Sequence, residues 1–380
     1  MITITKINIL QKADKMKGYK LLVFMTVLCV FFTWEAENRA IASEKKLSKI
    51  LNVYNWEDYF GSTTVSDFEK KFGVKVNLET FDDEEEMVSS LQSHPEKYDI
   101  IITSGDEIRE LVKMRMLAEI DLENIPNLKN IEQRFRNPYY DPGHRHSVPY
   151  LWGTTGIVVN RSFIKDKEDS WPLLWNSKYK GKIAMLNNPD EVIGAALKYL
   201  GYSVNTNDPS KLDKARQKLF DQRPLLAGYL DCITLREKLI SGELWAAQIY
   251  SGEGMFAVDK LETLEYIIPK EGAAMWVDCL AIPRDAKHKY TAEVFINYIL
   301  SPEISAEIAN YLWYANCNQA ARAFTQEEIL KSPSLYPSKK TLKNCEFFRP
   351  VGTAEEEKRT RQIINKIWSE LRLKMDKKEL

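Results

Sequence analysis

The stretch ILNVYNWEDYFGSTTVSDFEKKFGVKVNLETFDDEEEMVSSLQSHPEKYDIIITS, residues 50–104, decides the fold class. Ile50 to Trp56 reads as a buried strand. Ser62 caps a helix that runs to Phe72, and Gly73 ends it in the position where a left-handed residue is needed. Val74 to Thr80 alternates apolar and polar residues, the pattern of a second strand. A helix around Glu84 to Gln92 follows, and Tyr98 to Thr103 is a third strand. Ser104 or Asp106 then opens a helix through Leu117. Strand, helix, strand, helix at these lengths specifies an α/β fold with a mostly parallel sheet and helices on its faces.

Working outward, Ser147 to Tyr150 and Gly156 to Asn160 read as short strands around a Trp-Gly-Thr-Thr segment, where the chain changes lobe. A second α/β unit follows: strand Lys182 to Leu186, helices Glu191 to Leu200 and Pro209 to Gln222, helix Leu235 to Ile240, and strands Leu244 to Tyr250 and Leu264 to Ile268. After Ile267–Pro283 (IIPKEGAAMWVDCLAIP) come helices Thr291 to Leu300 and Glu303 to Leu312. A long charged helix, Glu355 to Leu373, is the last element.

In that Ile267–Pro283 stretch Trp276 stands two residues before Asp278. In extended chain, i and i+2 share a face. An indole plate beside a carboxylate seats an organic ammonium by cation–π attraction and a charge-assisted hydrogen bond. The pairing recurs at the carboxyl ends of the predicted strands, the edge where open α/β sheets bind ligands. Trp56-Glu57-Asp58-Tyr59, Ser104-Gly105-Asp106, Asn187-Asn188-Pro189-Asp190-Glu191 and Tyr250-Ser251-Gly252-Glu253 all combine carboxylates with aromatic or polar residues. No Lys or Arg lies within these short segments, so a cleft lined by them would select a cation.

The bulk composition agrees. The 380 residues suffice for two or three domains, and 53 basic against 54 acidic residues leave a net charge of −1. That balance argues against a nucleic-acid partner. Lys15, Lys17 and Lys20 precede the apolar run Leu21 to Phe32, and Ala40-Ile41-Ala42 supplies small residues at a cleavage site. Residues 1–42 therefore read as a secretory signal peptide, with an uncleaved anchor as the alternative. Export permits disulfides among Cys232, Cys279, Cys317 and Cys345. Four cysteines allow three pairings, four buried thiols are equally open, and the spacing does not suit zinc.

These segments resemble the periplasmic polyamine-binding proteins of bacterial ABC importers, the putrescine and spermidine receptors. The resemblance runs from about Leu51 to the last helix. It is carried by YNWEDY (54–59), PYLWGTTGIVVN (149–160), NNPDEV (187–192), IPKEGAAMWVDCLAIP (268–283), SPEISAEIA (301–309) and YANCNQAA (314–321). It implies a two-lobed periplasmic binding protein (type II) fold with a hinge and a central cleft. The implied division is 50–152 for the first part of lobe 1, 153–279 for lobe 2, 280–325 for the return to lobe 1, and 326–380 for a C-terminal helical segment packing on both.

The resemblance also implies roles. Trp56 and Tyr59 line one wall, Ser104 donates or accepts a hydrogen bond, and Glu191, Glu253 and Asp278 hold ammonium groups. Trp276 stacks on the ligand's methylenes, and Tyr250 stands where the family usually has Trp. Glu57 and Asp106 are acids at positions where the family has other residues, and Asp58 is a further candidate. The implied function is capture of a polyamine, putrescine-like by preference, for the membrane permease of an ABC importer, in the periplasm and as a monomer. Agmatine or another cation, or a signalling role, is the alternative. No metal and no cofactor are expected, and no enzyme.

Other motifs point nowhere. Gly252-Glu253-Gly254 begins a GxGxxA string, but an acid inside the loop repels pyrophosphate. His144 and His146 form HxH without a third ligand and read as a solvated loop. The acids are spread over separate segments, unlike a glycosidase pair, and no nucleophile elbow, HExxH or P-loop is present.

Overall fold

A computed structural model describes residues 46–373. The expected signal peptide, with Cys29 in its apolar run, lies outside the described residues. The fold below belongs to the compact unit Lys49–Leu380.

The sheet has the strand order β2-β1-β3-β9-β4-β7-β5-β6. Strands β1 (Ile50–Trp56), β2 (Lys75–Phe81) and β3 (Ile100–Ser104) are parallel, with Ile50 opposite Lys75 and Val53 opposite Ile100. At the other end β5 (Ile183–Leu186), β6 (Leu226–Leu230) and β7 (Ala246–Tyr250) are parallel as well. Between these groups run two antiparallel strands, β4 (Ser147–Asn160) and β9 (Ala274–Ala281). The sheet is thus mixed, two parallel groups joined by an antiparallel pair, rather than mostly parallel throughout.

Strand β4 is the spine. Its first half pairs with β9 and its second half with β7 and with β8 (Leu264–Ile267). All fourteen of its residues are buried. The sequence reads here as two short strands, Ser147 to Tyr150 and Gly156 to Asn160, around Trp152-Gly153-Thr154-Thr155, but the strand is continuous. Both glycines mark close approach: a methyl at Gly153 would collide with the Trp276 indole, and one at Gly156 with the Ile267 carbonyl and the Tyr266 ring.

The predicted helices form with small shifts. Helix α1 (Thr64–Phe72) ends at Gly73 with φ 66°, as expected, but its N-cap is Thr63 and not Ser62. Helix α2 (Glu84–Ser93) is capped by Asp83 and α3 (Gly105–Lys113) by Ser104, whose hydroxyl accepts from the Glu107 N–H. Helix α3 stops four residues short of Leu117. Arg115 turns left-handed, and the chain then runs extended so that the Ala118 N–H can reach the Ile282 carbonyl.

Helices α4 (Pro189–Tyr199), α5 (Pro209–Gln222) and α6 (Cys232–Ile240) flank the second parallel group. Helix α7 (Ser251–Lys260) and strand β6 are not anticipated, because Gly252 and Gly254 in one and Gly228 in the other depress local propensity. Tertiary packing overrides this: Met255 and Ala257 of α7 enter a core with Val158, Ile249 and Tyr266. The later helices are α8 (Lys289–Ile299), α9 (Pro302–Leu312), two short ones, α10 (Glu327–Lys331) and α11 (Lys339–Leu342), and then α12 (Ala354–Leu373). Ile367 and Leu371 of α12 join the core formed by α4, α5 and β5. Among the described residues no helix is long and apolar enough to cross a membrane.

The four described cysteines are free thiols. Cys279 on β9 lies opposite Pro149, whereas the Cys317 N–H bonds the Tyr150 carbonyl from the other edge of β4. Two strand spacings are roughly 9–10 Å, beyond the reach of a disulfide. The His144–His146 loop is folded inward rather than solvated. The Asp141 carboxylate gathers the N–H groups of His146 and Ser147 and the Ser147 hydroxyl, and this buries His144 at a left-handed φ of 55°.

Candidate functional site

Strand β9 supplies the centre. Along it only Trp276 and Asp278 are partly exposed, while their neighbours are buried. The two therefore share the face that the alternation rule predicts. Antiparallel pairing sets Asp278 opposite Ser104 and Trp276 opposite Gly153. One strand further, Thr155 of β4 lies opposite Tyr250 of β7.

Around this pair four rings meet edge to face. Trp276 contacts Tyr250 at 5.9 Å between centroids and Tyr314 at 5.7 Å, and Tyr314 contacts Tyr59 at 5.5 Å. The Tyr59 hydroxyl donates to Asp278 Oδ2 at 2.5 Å. Edge-to-face packing leaves the electron-rich faces of some rings free for a cation. Burial pushes the Asp278 carboxyl up to about 7; the Tyr59 hydrogen bond opposes this and the charge of Glu84 adds to it.

Glu191 lies in the first turn of α4 and is buried. Its Oε1 accepts from the Thr155 hydroxyl at 2.9 Å, and its Oε2 has no hydrogen-bond partner. Burial drives it up to about 8, opposed by Thr155 and reinforced by Asp190 and Asp106.

The remaining candidate acids are committed elsewhere or wet. Glu253 Oε2 accepts from Arg236 Nη1 at 2.7 Å, and the Tyr314 hydroxyl lies 3.4 Å from its Oε1. Burial raises Glu253 despite Arg236. Asp190, beside Glu191, is held by Arg361 of α12 at 2.7 Å. The expectation of an unneutralised cleft therefore needs correction. The cations come from distant helices, out of view in the short segments. Asp106 accepts a hydrogen bond from Tyr139, and burial lifts it to about 7. Glu57 and Asp58 are exposed, Asp58 with φ 51°. Trp56 packs on Phe81 at 4.4 Å. Ser104 caps α3, and its N–H donates to Glu84 Oε1 at 3.0 Å.

The structure thus gathers Tyr59, Tyr250, Trp276 and Asp278 directly, Glu253 through Tyr314, and Glu191 through Thr155. Sequence reasoning passed over Tyr314, Arg236, Thr155 and Gln248. Tyr314 opens the quoted YANCNQAA segment but was given no role. Gln248 is a lone polar residue in the apolar strand AAQIY, a signal that was available. Among the described residues no group of three His, Cys, Asp or Glu is arranged to hold a metal ion.

A model of the bacterial extracellular solute-binding protein family matches residues 63–336. The putrescine-binding periplasmic protein SpuD of Pseudomonas aeruginosa (strain UCBPP-PA14) is 31% identical over 344 residues, 86% of this chain and 92% of that protein. The spermidine/putrescine-binding periplasmic protein of Escherichia coli (strain K12) is 32% identical over 306 residues, 80% of this chain and 88% of that one. Among solved structures, the spermidine/putrescine ABC transporter substrate-binding protein PotD of Streptococcus pneumoniae is similar with a TM-score of 0.75 and 30% identity. The match covers 84% of this chain and 98% of PotD.

Proposed function

Because the chain belongs to the bacterial extracellular solute-binding protein family, we propose that it captures a polyamine of the putrescine type and hands it to the permease of an ABC importer. Its fold is the two-lobed periplasmic binding-protein fold. On this reading the lobes divide near the middle of β4, and the protein acts in the periplasm as a monomer, as a carrier and not an enzyme.

The observation that carries the reading is the Asp278 carboxylate, bonded by Tyr59, at the end of a chain of four contacting rings, Tyr59, Tyr314, Trp276 and Tyr250. An ammonium there pairs with Asp278 and lies against the ring faces. The methylenes run past Trp276 and Tyr250, and the second cationic end reaches Glu191. Asp278 and Glu191 sit on different halves of the sheet, so a ligand touching both binds the closed arrangement better and shifts the population towards it.

The test is titration calorimetry of the purified protein with putrescine, cadaverine, spermidine, spermine and agmatine, and with a sugar as control. Micromolar or tighter binding of an amine is expected. A folded, ligand-free protein that binds none of them would refute the reading.

A further inference from the structure

Two buried acceptors have no donor among the described residues, and they belong to residues hydrogen-bonded to each other, Gln248 and Glu191. Gln248 is 1% exposed, in the middle of a strand of otherwise apolar residues and Tyr250. A buried amide is ordinarily satisfied on both sides. Its Nε2 donates to the Glu191 carbonyl at 2.8 Å. That bond fixes the amide's orientation, because the reverse would set oxygen against oxygen. Gln248 Oε1 is left without a partner among the described residues, as is Glu191 Oε2.

The register places these groups together. Gln248 stands two residues before Tyr250, on the same face of β7. Tyr250 is opposite Thr155, and Thr155 holds the other Glu191 oxygen. One patch beneath Tyr250 therefore carries a carboxylate oxygen and a neutral amide oxygen. Each orphan acceptor is destabilising unless a donor meets it.

We propose that Gln248 determines specificity: with Glu191 it forms a two-acceptor floor that receives a guanidinium in preference to a primary ammonium. This rests on the reading of the cleft as a site for an organic dication, and it names the chemistry of one end. A guanidinium spreads one charge over five N–H donors in a plane, so it needs more acceptors than anions. The pair offers that ratio, one charge with an extra neutral acceptor. An ammonium concentrates its charge and gains less from a neutral oxygen. The opposite end, Asp278 at the end of the ring chain, suits the compact ammonium. The ligand is then an alkyl chain with an amine at one end and a guanidinium at the other.

Calorimetry with putrescine and agmatine on the wild-type protein and Gln248→Met tests this. The wild type should favour agmatine by about tenfold or more. Gln248→Met should lower agmatine affinity by about tenfold while changing putrescine by less than about threefold. A thermal melt of the variant checks that it folds, and if it does not, the wild-type ratio decides alone. Putrescine bound as well as agmatine, or equal losses in the variant, would overturn the role of Gln248 and leave the polyamine reading intact. Binding of neither dication by the wild type would overturn both.

Discussion

Lowering the pH from 8 to 6 should weaken cation binding steeply. Burial holds Asp278 near 7 and Glu191 near 8 in the ligand-free protein. An ammonium or guanidinium binds the ionised carboxylates, so protons bound to them must leave. At pH 6 the two groups together carry about 1.9 protons, and at pH 8 roughly 0.6. The ligand's amine, with a pKa near that of Lys at about 10.4, stays charged throughout. Affinity should then fall by roughly two to three decades between pH 8 and pH 6, about 3–4 kcal/mol, if both carboxylates engage the ligand, and about tenfold if only Asp278 does. The assay is calorimetry at pH 6, 7 and 8 in two buffers of different ionisation enthalpy, which counts the released protons. The same shifts act on stability with a definite sign. A carboxyl raised in the folded state contributes stability below its ordinary range, and that stability is lost as pH rises through about 7 and 8. The ligand-free melting temperature should fall over that window, and the ligand should raise it more at pH 8 than at pH 6. Affinity constant within twofold from pH 6 to 8, with heats independent of buffer, would refute the reasoning.

Asp278→Asn should cost on the order of 3–5 kcal/mol of binding, about two to four decades, because it strands a buried cation; a variant that binds normally would contradict the site. Glu253→Gln should cost less than about tenfold by the same titration, since Arg236 already occupies one of its oxygens. Gly252→Ala should place a methyl against the Tyr314 ring and destabilise by about 1–3 kcal/mol, with weaker binding; an unshifted melt together with unchanged affinity would show that Tyr314 does not bear on α7. Added reductant should leave the melting temperature unchanged to within about a degree, because the four described thiols are free; a marked fall would reveal a disulfide.

The parallel β-α-β core was legible because period and punctuation agree there: Ile50–Trp56 matches the observed strand, and Gly73 ends its helix at φ 66°. The Trp276–Asp278 face was legible from alternation alone. The errors lie where packing overrules local signals. Ser147 to Tyr150 and Gly156 to Asn160 read as separate strands, yet one strand runs through both, and Gly153 and Gly156 each make room for a neighbour inside it. Gly252 and Gly254 hid a helix whose close contacts with Tyr314 and Tyr266 are the reason for those glycines. The site's charge balance was not legible. Arg236 and Arg361 reach Glu253 and Asp190 from other helices, and no window of sequence around the acids contains both partners.

That balance narrows the ligand. Five segments carry carboxylates, which on sequence alone says only that the expected cleft selects a cation. In the folded chain Glu253 and Asp190 are paired with arginines, Asp106 accepts from Tyr139, and Glu57 and Asp58 face solvent. Asp278 and Glu191 differ. Each is held by a single hydroxyl, from Tyr59 and Thr155 respectively, and burial lifts both towards neutrality; Asp106 shares those features but has the Arg109 charge acting on it, whereas no cation among the described residues acts on these two. A buried carboxyl with no cation beside it is relieved by a proton or by a cationic ligand. Two such groups on different halves of the sheet match a dication spanning them. A tri- or tetra-amine would need further anions that arginines or water already occupy. On charge alone, therefore, diamines and their guanidino analogues should outrank spermidine and spermine, and one affinity series across the five amines decides it. Spermine binding tightest would mean that Arg236 or Arg361 releases its acid when the ligand arrives.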